Sequence, residues 1–185
     1  YNDMGNALHE MGDIDAAIDS YKQAIKIKPD YAEAYGNMGI ALKDKGEVDA
    51  AIDNYKQAIK IKPDYAEAYY NMGNALNDKG DLDAAIDSYK QAIKIKPDYA
   101  EAYYNLGDAL KDKGDLDAAI DYYKKGILHL PQDAKLHFNL GITLHLKGDT
   151  DAAIYNQDRA NRIDASFKPS QLFYRILNAR KKREK

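Results

Sequence analysis

The string YKQAIKIKPDYAEAY occurs three times, beginning at Tyr21, Tyr55 and Tyr89, each copy 34 residues after the one before. Pro29, Pro63, Pro97 and Pro131 keep the same spacing. So do two glycine series: Gly5, Gly39, Gly73, Gly107 and Gly141, and Gly12, Gly46, Gly80, Gly114 and Gly148. A fixed period of this length means stacked units, each too small to bury its apolar face alone and each covered by its neighbours.

Each unit reads as two helices. In the unit that starts at Ala66, Tyr69, Met72, Gly73 and Leu76 fall at i, i+3, i+4 and i+7, which predicts a helix over 66–79 with one apolar face. Asp64 followed by Glu67 is the spacing of a capping box, which would satisfy free N–H groups at that helix start. Gly80 stands where a left-handed C-terminal residue is wanted, and Pro63 and Pro97 stop the preceding helices. The second helix is predicted over 82–95, with Leu82, Ala85, Ile86, Tyr89, Ala92 and Ile93 inward. Asp81 and Asp83 suit its positive end, and Lys94 and Lys96 its negative end.

The order of large and small residues resembles that of the tetratricopeptide repeat family. The second unit carries it as Tyr35, Met38, Gly39, Leu42, Ala51, Tyr55, Ala58 and Pro63. The third carries it as Tyr69, Met72, Gly73, Leu76, Ala85, Tyr89, Ala92 and Pro97, the fourth as Tyr103, Leu106, Gly107, Leu110, Ala119, Tyr123, Gly126 and Pro131. The fifth is degenerate: His137, Leu140, Gly141, Leu144 and Ala153 fit, while Gln157 replaces the aromatic and Ala165 the proline. The resemblance implies an all-α, right-handed superhelical solenoid of antiparallel helix pairs. The expected units are 1–31 (a first repeat entered late), 32–65, 66–99, 100–133 and the degenerate 134–165, which should fray before units two to four. Residues 166–185 are expected to form a capping helix, begun by Ser170 and striped by Leu172, Phe173, Ile176 and Leu177, with a basic tail.

Composition excludes several chemistries. The 185 residues contain no cysteine, so disulfides, zinc–cysteine sites, iron–sulfur clusters and thiol catalysis are out. No run of about 18 apolar residues is present, so no transmembrane segment is expected. No signal peptide is visible, and a cytoplasmic setting is the expectation; the opening at Tyr1 reads as a piece of something longer. No glycine-rich phosphate loop or nucleophile elbow occurs, so no enzyme activity and no cofactor are expected. The aspartate-rich turns lack the spacing of a calcium loop and read as helix caps. His9, His129, His137 and His145 read as packing or surface residues, with His137 at the bulky aromatic position of its unit.

Charge is unevenly spread. Residues 166–185 hold Lys168, Arg175, Arg180, Lys181, Lys182, Arg183 and Lys185 against Glu184, a net +6, which leaves −9 on residues 1–165 of a chain whose total is −3. An acidic body argues against a grip on nucleic-acid phosphates by the repeats. The short basic run, without interleaved aromatics, reads as a solvated end.

The family geometry puts the first helix of each unit on the inner, concave side. If Tyr69, Met72, Gly73 and Leu76 face the core, Glu67, Tyr70, Asn71, Asn74, Asn77 and Asp78 face the groove. The corresponding residues are Glu33, Gly36, Asn37, Ile40, Lys43 and Asp44; Glu101, Tyr104, Asn105, Asp108, Lys111 and Asp112; and Lys135, Phe138, Asn139, Ile142, His145 and Leu146. Asn37, Asn71, Asn105 and Asn139 form a constant series. Asparagine is a mediocre helix former, and its amide both donates and accepts, which suits a grip on the backbone of an extended peptide. The series resembles the asparagine ladder in the repeats of O-linked N-acetylglucosamine transferase. Bonding between helices, or plain copying by duplication, would produce the same series.

The expected function is protein–protein recognition. Asn37, Asn71, Asn105 and Asn139 would hold backbone, Tyr70, Tyr104 and Phe138 would contact side chains, and Asn74 and Asp108 would complete the peptide site. The acidic members favour a neutral or basic ligand. A carboxylate clamp for acidic chaperone tails needs cations where this chain has Asn2, Asn6, Glu67 and Asn71, so no such tail is expected to bind. Two further roles are compatible with the pattern: a substrate-recruiting arm of a larger enzyme such as a glycosyltransferase, and a module that associates end to end with its own copies.

Overall fold

A computed structural model of the chain describes residues 1–166, 173–175 and 177. Among the described residues there is no strand, and the helices run in antiparallel pairs, two per repeat. They are α1 (Asn2–Glu10), α2 (Ile14–Ile27), α3 (Ala32–Asp44), α4 (Val48–Ile61), α5 (Ala66–Asp78), α6 (Leu82–Ile95), α7 (Ala100–Asp112), α8 (Leu116–His129), α9 (Ala134–Leu146) and α10 (Thr150–Ile163). None of these is long and apolar enough to cross a membrane. The chain divides into two compact units, Tyr1–Lys96 and Pro97–Lys185, a division the repeat pattern did not announce.

The joint inside each repeat follows from two residues. Gly80 takes φ +85°, which costs glycine nothing and an L side chain about 1 kcal/mol or more. Its N–H donates to the carbonyl of Asn77 at 2.9 Å, and the Asp81 N–H donates to that of Leu76 at 2.9 Å, closing α5. Asp81 also opens α6: its Oδ1 accepts the Ala84 N–H at 3.2 Å. Asp13, Asp115 and Asp149 cap in the same way. In the second repeat the cap position is Glu47, which makes no cap bond and instead lies 3.0 Å from Lys45.

The expected capping box at Asp64 and Glu67 is not formed. The N-cap of α5 is Tyr65, with no side-chain cap bond, so Asp64 lies one residue too early. Glu67 turns toward Lys96, 3.8 Å away. Between repeats, the residue before each proline is extended, as the proline ring requires: Lys62 has φ −127° and ψ 89°. Asp164, before Ala165, keeps that geometry without a proline, at φ −136° and ψ 97°. Its carboxylate does the work instead, accepting from the Ser166 N–H at 2.9 Å and from its hydroxyl at 2.6 Å.

In the first unit the core comprises Ala17, Ile18, Tyr21, Ala41, Leu42, Ala51, Ile52, Tyr55 and Ala75, with α2 packed on α3 and α4 on α5. Tyr55 is fully buried, and hiding an aromatic ring of that size contributes on the order of 3 kcal/mol. Glycine makes room for it: an added Cβ on Gly39 would lie 2.6 Å from the Tyr55 Cε1. Of the residues expected to face the core, Met72 and Leu76 pack against it while half-buried, Tyr69 is half-buried, and the fully buried surface of α5 is Ala66, Ala68, Gly73 and Ala75. Small residues hold the centre because the two helices approach closely there.

In the second unit α8 packs on α9, and Leu106, Tyr123, Leu136 and Ala153 are buried. The degenerate repeat satisfies most of its polar substitutions internally, while the buried Asn161 Oδ1, where the other repeats have isoleucine, has no hydrogen-bond partner among the described residues. Gln157, fully buried where other repeats have tyrosine, donates to the Phe138 carbonyl at 2.9 Å. His137 is buried with its Nδ1 3.2 Å from Asn156 Oδ1. Of the expected capping helix, Phe173, Tyr174, Arg175 and Leu177 are helical, and Leu177 is fully buried. The Phe173 ring meets the His145 ring edge-on at 5.5 Å. Ser170, Leu172, Ile176 and the basic run 180–185 lie outside the described residues.

Candidate functional site

In the first unit, α1, α3 and α5 adjoin one another, and one face of each forms a continuous strip. Cross-links between these helices define it. Asn37 Nδ2 donates to Asn2 Oδ1 at 3.1 Å and to Asn6 Oδ1 at 3.0 Å. His9 lies 2.9 Å from Asp44, and Lys43 lies 3.0 Å from Asp78. Asn2, Asn6 and His9 sit at i, i+4 and i+7 of α1, and Asn37 and Asp44 at i and i+7 of α3, so the strip is a single helical face repeated.

The strip rests on buried tyrosines from the second helices. The Tyr21 hydroxyl donates to Asn6 at 2.8 Å, that of Tyr89 to Asn74 at 2.9 Å, and that of Tyr123 to Asp108 at 3.0 Å. Asn74 and Asp108, two of the residues expected to touch ligand, therefore spend an acceptor on holding their own repeat together. Burial first, and then the Asp108 charge, push the Tyr123 phenol well above its ordinary value. In the second repeat the acceptor position is Ile40, and the buried Tyr55 hydroxyl has no hydrogen-bond partner among the described residues.

The asparagine series divides. Asn37 has its amide donor committed to Asn2 and Asn6. Asn71 is half-exposed on the strip, and its side chain makes no hydrogen bond among the described residues. Tyr70 beside it is half-exposed, its ring 6.1 Å from that of Tyr89. In the second unit Asn105, Phe138 and Asn139 are half-exposed on the adjoining helices α7 and α9. Tyr104 bonds to the Asp133 carboxylate, and burial, followed by that bond, raises its phenol. An open recess of about 460 Å³ lies there, lined in part by Glu101, Tyr104, Asp133 and Lys135.

The carboxylates of the first unit's strip are engaged: Asp78 pairs with Lys43, Asp44 bonds to His9, and Glu33 pairs with Lys62 at 3.3 Å. Among the described residues no cluster of histidine and carboxylate side chains is arranged to hold a metal ion. On another face of the helices a different ladder recurs. Lys45 reaches Asp15 at 2.9 Å, Lys79 reaches Asp49 at 2.6 Å, and Lys147 pairs with Asp117, each tying a repeat to the one before. Hydrogen bonds to Asp15 and Glu47 push the Lys45 ammonium up to about 12. Sequence reasoning missed these links; their signal was the constant spacing of 30 residues between aspartate and lysine.

A scaffold of paired helices that presents one repeated polar face belongs to the class of protein-interaction repeats. The family model described as TPR repeat matches residues 5–46, 39–76 and 73–111, and models described as tetratricopeptide repeat match 100–133 and 122–155. The chain belongs to the tetratricopeptide repeat family. No curated protein sequence matches it. Among solved structures it is similar to MamA at 32% identity, with a TM-score of 0.81 over 89% of this chain and 96% of that one. It is similar in fold to MamA of Desulfovibrio magneticus RS-1, at 23% identity and a TM-score of 0.78 over 90% and 94% of the two chains. It also shares its fold with YrrB, described as a TPR protein with an unusual peptide-binding site, at 21% identity and a TM-score of 0.76 over 95% and 90%.

Proposed function

We propose that the first-helix strip of each unit binds an extended peptide, with the asparagine series holding its backbone. The observation that carries this is Asn71: a half-exposed amide on the strip, beside Tyr70, with no internal hydrogen bond among the described residues. An amide so placed offers a peptide unit both a donor and an acceptor. Asn37 contributes its carbonyl oxygen, because its donor is engaged. Tyr70, Tyr104 and Phe138 supply flat apolar contacts. The acidic members of the strip favour a neutral or basic ligand, with Asp78 already paired to Lys43. The test is a peptide-library pull-down with the chain and with its Asn71→Ala/Asn105→Ala variant. Loss of bound peptides with unchanged helical circular dichroism supports the reading, and equal binding by both proteins overturns it.

A second reading is favoured by α1, where Tyr1 is 61%, Met4 49% and Met11 81% exposed. An exposed apolar stripe of this kind suits association of one copy with another. Light scattering that rises with protein concentration supports it, and a mass that stays constant removes it.

A further inference from the structure

The second and third repeats, residues 32–65 and 66–99, differ at six positions. Three differences keep the chemistry: Glu47 for Asp81, Val48 for Leu82, and Asn54 for Ser88. The last pair even makes the same bond, each side chain donating at 2.8 Å to the carbonyl four residues back. The other three change it: Gly36 for Tyr70, Ile40 for Asn74, and Lys43 for Asn77. These fall at i, i+4 and i+7, one face of α3, and that face is the strip.

Ile40 also works against the fold. Tyr21, Tyr89 and Tyr123 each have an acceptor at the matching position, and Tyr55, fully buried, has none. A buried hydroxyl without a partner is destabilising. Ile40 packs partly against the core, yet it leaves the Tyr55 hydroxyl without the bond that the other repeats supply, and a local rule broken in this way is expected at functional positions.

We infer that Ile40 is a specificity-determining residue of the strip, selecting an extended peptide that carries an aliphatic side chain at its register. This rests on the peptide reading above. The surroundings fit such a side chain. Gly36 offers no side chain and is buried against the Tyr65 ring, so the position that carries Tyr70 in the next repeat presents no aromatic side chain of its own beside Ile40. Lys43 is held by Asp78 and Asp44 is hydrogen-bonded to His9, so the charged groups of the rung are engaged with one another. Asn37, one turn before, presents its free carbonyl oxygen to the peptide backbone.

The experiment displays a random dodecapeptide library to the full chain and to its Ile40→Asn and Asn71→Ala variants, with thermal melting of all three. Ile40→Asn restores the residue of the neighbouring repeat. It is expected to hold the melting temperature or raise it by about 2–4 °C. It is also expected to abolish the common aliphatic position and to weaken the selected peptides about tenfold, which is a 1.4 kcal/mol loss. Equal affinity and an unchanged motif in Ile40→Asn, with loss in Asn71→Ala, overturn the role of Ile40 and leave the peptide reading standing. A fall in melting temperature without any change in motif makes Ile40 a packing residue and overturns it as well. No enriched motif with the unaltered chain, or a motif indifferent to both substitutions, overturns the peptide reading itself.

Discussion

Asn6 Oδ1 accepts two hydrogen bonds, from the Tyr21 hydroxyl at 2.8 Å and from Asn37 Nδ2 at 3.0 Å. One side chain thus joins the two helices of the first repeat and links them to the second. Replacing Asn6 by leucine removes an acceptor from a hydroxyl on a nearly buried ring and is expected to cost about 1–3 kcal/mol. In a Tyr21→Phe background the same change should cost about 1 kcal/mol less, since no hydroxyl is left stranded. Urea denaturation of the four proteins of the cycle measures this; strict additivity would mean that the bond carries no energy.

Gly73 sits under the Tyr89 ring, and an added Cβ would lie 2.6 Å from Cε1 and 2.7 Å from Cδ1. Gly73→Ala gains about 1 kcal/mol of helix propensity. Tyr89 is 1% exposed, so its ring has no room to retreat, and overpacking at such a site costs about 1–3 kcal/mol. The net expectation is destabilisation, read as a lower denaturation midpoint. A higher midpoint would show that the helices separate freely.

Glu47 occupies the cap position of α4 but makes no cap bond, whereas Asp13, Asp81, Asp115 and Asp149 all do. Its side chain is one methylene too long. Glu47→Asp should raise stability by about 0.5–1 kcal/mol. Lys45 keeps its bond to Asp15, so the loss of the Glu47 pair offsets little of this. A rise in melting temperature checks the gain; a fall would mean that the Glu47–Lys45 pair outweighs a cap.

The Glu33 carboxyl is held below its ordinary value, first by its own backbone N–H at the start of α3; burial opposes this, and the Lys62 ammonium adds to the lowering. A depressed folded pKa means that its contribution is full at neutral pH. That contribution disappears as pH falls below the usual glutamate range and through the lowered value. Carboxyl NMR titration should find Glu33 protonating at lower pH than an exposed glutamate. Lys62→Ala should move that midpoint part of the way back, leaving the backbone share in place.

The fifth repeat buries His137, Thr143 and Gln157 where repeats two to four carry tyrosine, alanine and tyrosine. Each polar group that replaces apolar area lowers the hydrophobic contribution, even when bonded. Amide exchange in α9 and α10 is therefore expected to outpace that of repeats two to four. Slowest exchange in the fifth repeat would contradict this.

The period of 34 residues was enough to fix helix pairs, their turns and the family, because local rules govern those features. Gly80 must follow the helix it ends, and Asp81 must precede the helix it caps. The capping box at Asp64 failed for a reason of the same kind: a shift of one residue takes the carboxylate away from the free N–H groups, and sequence spacing alone does not fix the φ and ψ that decide the cap.

The candidate site was half legible. Periodicity put Asn37, Asn71, Asn74 and Asp108 on one face of their helices, because 3.6 residues per turn leaves no other choice. Which of them face inward to a partner depends on side chains fifteen or thirty residues away. Tyr89 claims Asn74, Tyr123 claims Asp108, and Asn2 and Asn6 claim the donor of Asn37, while Asn71 keeps its amide. The missing partner of Tyr55 is visible only once Ile40 is seen beneath it. Sequence sets which face a residue occupies, since that is a property of one helix. The tertiary structure decides whether its hydrogen-bonding groups are spent inside the protein or left for a ligand, since that depends on what packs across from it.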